Sequence, residues 1–162
     1  MDVPIPTIEI MSRLEAGEIL ASPQRCADFT YLVSIGDQND ELPAGYDAFA
    51  RKVRLLIADV LTDVGATDQD VLRIIRLAET LGSDGGRVLI HCEAGVSRST
   101  ATALIMYGCW LGPGREREAM ARVLTQRPVA APNRRMVEIA DRLLERGGRL
   151  VEALGRDVSQ AG

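Results

Sequence analysis

A chain of 162 residues with 46% hydrophobic and 26% charged side chains is long enough for one compact domain and too short for two ordinary ones. Its net charge of −4 and pI near 5.1 argue against a general binder of nucleic acid or of an anionic membrane surface, so any anion site must be a local exception. Three cysteines, Cys26, Cys92 and Cys109, contain no C-x-x-C pair and fit no secreted disulfide framework, which points to a reducing cytoplasm.

The N-terminus lacks the basic and apolar regions of a signal peptide, and the longest nearly uncharged run, Ser99 to Pro113, is too short to span a bilayer. In chain order, T-I-E-I-M (7–11) reads as a short strand. Ser12 with Glu15 then makes a capping box for a brief helix, and Gly17 ends it or marks a turn. Phe29 to Ile35 is β-branched and aromatic, a second strand, and a turn-rich segment follows it. K-V-R-L-L-I-A-D is a third strand, ending at Asp59. From Thr67 the period changes: Val71, Ile74, Ile75, Ala78 and Leu81 share one helical face, with Thr67 and Asp70 as its cap. R-V-L-I-H-C is a last strand, apolar enough to be buried on both faces. Helices are expected over about 98–111, 115–126 and 133–147, with a frayed end from about Gly155. Strands alternating with helices predict an α/β fold, a central mostly parallel sheet of about four to five strands with helices on both faces, and one domain over 1–162 with its core at about 8–150.

The chemistry concentrates in V-L-I-H-C-E-A-G-V-S-R-S, residues 88–99. A buried strand delivers a thiol to a sheet edge, and a loop of small residues, Glu93, Ala94, Gly95, Val96 and Ser97, leads into a helix beginning near Arg98. Loop amides, a helix N-terminus and one guanidinium around a thiol make a site for a tetrahedral oxyanion. The same surroundings lower the pKa of Cys92 from the free value of about 8.5 and keep it anionic. Arg98 presents a planar fork to two phosphoryl oxygens, and Ser99 is placed to hydrogen-bond the sulfur. His91, the sole histidine, is read as scaffold on the far side of the strand, and Asn133 as a helix cap or loop tie.

The stretch I-H-C-E-A-G-V-S-R-S-T resembles the H-C-x5-R-S/T signature of cysteine-dependent protein tyrosine phosphatases, and looks most like the dual-specificity branch. I-A-D-V is similar to that family's general-acid loop, R-P-V-A-A-P-N to its R-x-x-x-x-P-N stretch, and Pro128 to Leu150 to small bacterial members. The resemblance implies a phosphotyrosine phosphatase-like fold and a phosphocysteine mechanism. Cys92 is its nucleophile, Arg98 and the loop from Glu93 to Ser97 bind phosphate, Ser99 assists the leaving sulfur, and Asp59 is the general acid, with Asp63 as the alternative. It implies no cofactor and no metal. The partners are phosphorylated proteins, phosphotyrosine first and phosphoserine or phosphothreonine also, or small phosphomonoesters, with no nucleic acid and no membrane. Three alternatives stand beside it: a phosphate-binding pseudophosphatase, a phosphoinositide phosphatase, which the carboxylate of Glu93 disfavours, and sulfur transfer or arsenate reduction through a second thiol such as Cys109. Arg134 and Arg135 are candidates for a second acidic group of the substrate.

Overall fold

The computed structural model describes residues 4–155. Four strands, β1 (Thr7–Met11), β2 (Tyr31–Gly36), β3 (Lys52–Leu56) and β4 (Arg87–His91), form one all-parallel sheet in the order β1-β4-β2-β3. The central position of β4 follows from its sequence. Val88 and Ile90 point into the larger core with Ile8, Ile10, Val33, Ile35 and Leu55, while Leu89 joins Leu32 and Phe29 on the opposite face. A strand with apolar residues at every position is stable only where both faces are covered.

Helix α1 (Arg13–Leu20) covers the smaller face, and α2 (Pro23–Cys26) packs beside α1. The other face carries α3 (Asp68–Gly82), α4 (Arg98–Leu111), α5 (Glu116–Gln126), α6 (Arg134–Leu143) and the short α7 (Arg149–Glu152). On α3 the expected capping box is present: Asp70 N donates to Thr67 Oγ1 at 3.2 Å and Thr67 N to Asp70 Oδ2 at 2.9 Å. Its buried residues are Val71, Ile74, Ile75, Ala78 and Leu81. Among the described residues, no helix is long and apolar enough to cross a membrane.

Three boundaries differ from expectation by more than two residues. Gly17 does not end α1 but lies buried within it, where an added Cβ would come within 3.1 Å of Ala44 N. Close packing, not termination, explains that glycine. The third strand stops at Leu56 instead of Asp59, so Asp59 stands on a loop beyond the sheet. The last long helix ends at Leu143. Positive φ at Glu145, Gly147 and Gly148 breaks it, and Arg146 turns inward to pair with the buried Glu116 at 2.6 Å. Asp141 then accepts hydrogen bonds from Gly148 N and Leu150 N, both at 2.8 Å, and starts α7, which periodicity alone does not reveal. The fraying expected from about Gly155 lies, from residue 156 on, outside the described residues.

Candidate active site

Between β4 and α4 the chain makes a cup whose outward carbonyls are all held. His91 Nδ1 donates to Cys92 O at 2.9 Å, and Arg13 N to Glu93 O at 3.0 Å. Arg127 takes the next two, donating from Nη2 to Ala94 O at 3.1 Å and from Nε to Gly95 O at 3.0 Å. Ala131 N reaches Val96 O at 2.9 Å and Asn133 N reaches Ser97 O at 3.0 Å. With its carbonyls fixed outward, the loop turns its amides toward the centre, as an anion-binding nest does. Gly95 has φ +72 and lies against the β1–α1 junction, where a Cβ would meet Met11 C at 2.7 Å. Conformation and space both demand glycine there.

Cys92 lies at the base of this cup, 2% exposed. Burial pushes its thiol pKa up, but hydrogen bonds from the Ser99 hydroxyl and from the backbone amides of Ser99, Gly95 and Val96 outweigh it, and the pKa falls below the ordinary cysteine value. The Ser99 Oγ to Cys92 Sγ distance is 3.1 Å. Cys109 has the opposite environment, its thiol pushed up to about 11 by burial. Near neutral pH, therefore, iodoacetamide is expected to alkylate Cys92 well before Cys109, with a rate midpoint below the free-thiol value of about 8.5. Peptide mapping across a pH series checks this; equal labelling of the two thiols contradicts it.

Arg98 opens α4, where a cation opposes the helix dipole. It is nonetheless 6% exposed, held by Nη1 donating to Ile57 O at 2.9 Å and lying 3.4 Å from Asp40 Oδ2. Its Nε is buried without a partner. An unpaired buried donor of this kind costs about 1–3 kcal/mol, which an oxyanion in the cup would recover.

The loop after β3 brings Asp59 to the cup's edge. Ser97 Oγ donates to Asp59 Oδ1 at 2.6 Å and Asn133 Nδ2 donates to the same oxygen at 3.0 Å. Two donors on Oδ1 leave Oδ2 as the oxygen able to carry a proton. Asn133 is anchored in turn, since its Oδ1 accepts from Met136 N at 3.1 Å and caps α6. Asp63 is exposed, four residues further along the same loop.

The parallel sheet and its covering helices are shared with solved phosphatases. Tk-PTP in its active form superposes with a TM-score of 0.62, at 23% identity over 86% of this chain and 92% of that one. Human DUSP28 gives 0.62 at 22% identity over 90% and 95%. The chain has the dual-specificity phosphatase fold. In sequence, 58 residues are 43% identical to protein phosphatase Slingshot homolog 3 of Rattus norvegicus, 36% of this chain but only 9% of that protein. No family model matches the chain.

Within this phosphatase fold His91 is buried and hydrogen-bonded through both ring nitrogens. Arg54 Nη1 donates to Ser34 Oγ at 2.8 Å, and Ser34 Oγ lies 2.6 Å from His91 Nε2. Because Cys92 O can only accept, the proton of the neutral ring sits on Nδ1 and Ser34 donates to Nε2. Burial lowers the His91 pKa and keeps the ring neutral. Glu93 pairs with Arg13 Nε at 2.9 Å. Arg134 pairs with Glu138 at 2.8 Å, and Arg135 Nε donates to Ala66 O at 2.7 Å, so Arg135 supports the Asp59 loop. Cys109 is eleven residues along α4 from Arg98, about 16 Å at helical rise, too far for a disulfide with Cys92. Cys26 precedes β2 and lies at the opposite end of the sheet from the cup.

The roles of Arg127, Glu15, Arg54 and Asp40 at this site escape sequence reasoning. Arg127, the arginine of R-P-V-A-A-P-N, fixes two loop carbonyls while Glu15 holds it bidentately at 2.9 and 3.1 Å. The Arg127 guanidinium, aided by Ser12, holds the Glu15 carboxyl down from 4.5 to about 2. A depressed folded pKa stabilises the fold above the ordinary value and stops doing so as pH falls through the depressed one. The stability gap between wild type and Glu15→Gln is thus expected to be constant above pH 4.5 and to close between 4.5 and about 2. Urea midpoints along an acid series measure it, and a gap independent of pH contradicts it.

Proposed function

We propose that the protein hydrolyses phosphomonoesters through a phosphocysteine, acting on phosphotyrosine in proteins and also on phosphoserine and phosphothreonine. The observation that carries this reading is the Cys92 sulfur at the base of the cup, hydrogen-bonded to Ser99 and to loop amides. In the first step the Cys92 thiolate attacks phosphorus while the bond to the leaving oxygen breaks, and Asp59 gives that oxygen the proton from Oδ2. Loop amides from Glu93 to Ser97 and the Arg98 guanidinium hold the equatorial oxygens as charge develops on them. In the second step the Asp59 carboxylate takes a proton from water as the water attacks the phosphocysteine. The S–P bond breaks, orthophosphate leaves, and the Ser99 hydroxyl, 3.1 Å from the sulfur, stabilises the returning thiolate.

Asn133 and Ser97 keep Asp59 over the cup, and His91 and Arg127 keep the cup in shape. Cys92 must stay reduced for this chemistry, and a reducing cytoplasm suits it. The test is turnover of p-nitrophenyl phosphate by the full chain in the presence of a chelator, with acid quenching and mass mapping of the phosphoenzyme. Vanadate-sensitive turnover with phosphate on Cys92 is expected. Tight phosphopeptide binding without turnover would instead favour a pseudophosphatase.

A further inference from the structure

Outside the cup, the large apolar side chains are unevenly distributed. Of the eight exposed ones among the described residues, six are Leu14, Leu42, Val60, Leu61, Val64 and Val129. Each lies on a segment that holds the cup. Leu14 follows Arg13, whose amide binds Glu93 O, and Leu42 follows Glu41, which pairs with the same arginine at 3.5 Å. Val60, Leu61 and Val64 flank Asp59 and Asp63 on the acid loop, and Val129 lies between Arg127 and Ala131, both bound to the cup's carbonyls. Single exposed apolar residues need no explanation, but a collar of them around one concave site marks a contact surface.

The charges of this collar are equally one-sided. Arg13 is shared by two carboxylates, Glu93 at 2.9 Å and Glu41 at 3.5 Å, and Arg127 is taken up by Glu15 at 2.9 Å. Asp59 is met only by the neutral donors Ser97 and Asn133 among its hydrogen bonds. Arg13 and Arg127 set against Glu93, Glu41, Glu15 and Asp59 leave these groups net negative, beside apolar area and next to a cup that itself attracts a dianion. Acidic groups next to the phosphate are repelled, whereas apolar and basic ones are accommodated. A lipid headgroup bearing several phosphates, in an anionic bilayer, meets the same repulsion.

We propose that the substrate is a phosphopeptide whose residues next to the phosphorylated side chain are apolar or basic, which rests on the phosphatase reading above. The test compares kcat/KM for two phosphotyrosine peptides of equal length, one flanked by Leu, Val and Lys and one by Asp and Glu, with p-nitrophenyl phosphate and phosphatidylinositol phosphate vesicles alongside. The apolar and basic peptide is expected to be favoured by about tenfold or more, a ratio that falls to roughly threefold in Leu61→Ser/Val129→Ser. Equal or reversed peptide rates with p-nitrophenyl phosphate still turned over would overturn the proposal alone, as would vesicles hydrolysed faster than either peptide or a ratio untouched by the double variant. Failure to turn over any of them would bring down the phosphatase reading itself.

Discussion

Cys92→Ser is expected to lower turnover of p-nitrophenyl phosphate by on the order of 10⁴-fold or more, the scale seen when a nucleophile is removed from a unit that acts together. The physical reason is specific to the cup. Its amides and the Ser99 hydroxyl draw the Cys92 thiol below its ordinary pKa. A serine hydroxyl starts several units higher, so the same hydrogen bonds leave it protonated and a poor nucleophile. Oxygen is smaller than sulfur and fits the space the thiol leaves, so the fold and the binding of vanadate are expected to persist. Initial rates, thermal melting and vanadate titration of the variant check the three parts separately. Activity within tenfold of wild type would mean that the thiol does not attack phosphorus.

Asp59→Asn is expected to slow hydrolysis of phenyl phosphate, whose leaving group needs a proton, by about 10²–10⁴-fold, the usual worth of a positioned general acid. The effect is expected to be smaller with p-nitrophenyl phosphate, whose leaving group departs as a stable anion. Asp63→Asn is expected to leave phenyl phosphate turnover within about threefold, because Asp59, not Asp63, is hydrogen-bonded to Ser97 of the cup at 2.6 Å. Asn133→Ala removes one of the two donors to Asp59 Oδ1 and is expected to fall between the two. Rates for both substrates across pH distinguish a lost acid, which spares the good leaving group, from a damaged cup, which does not. An Asp63→Asn loss exceeding that of Asp59→Asn would reverse the assignment.

Features encoded within a few residues are legible in the sequence. The run from Val88 to His91 announces a strand buried on both faces, and Cys92, Gly95, Arg98 and Ser99 follow at spacings that one turn and one helix start dictate. The Thr67–Asp70 box and the face from Val71 to Leu81 are likewise local, and α3 forms where they say. Local rules mislead where a distant neighbour decides the outcome. Gly17 reads as a helix stop by itself, yet it is there because Ala44 packs against it. The last long helix reads as continuous to Gly147, yet the chain turns at Glu145, Gly147 and Gly148 and Arg146 pairs with Glu116 inside the core.

The sequence by itself thus determined the thiol, the guanidinium, the loop between them and the sheet that presents them, because adjacent residues and short periods carry that information. The tertiary structure alone decided what ties Asp59 to the cup's edge and which side chains hold the cup's carbonyls. Asp59 meets Asn133 across 74 positions, Arg127 meets Glu15 across 112, and Arg13 meets Glu93 across 80. Such contacts depend on how strands 1, 4, 2 and 3 order themselves in the sheet, and no spacing within the chain encodes a side chain's partner at that separation.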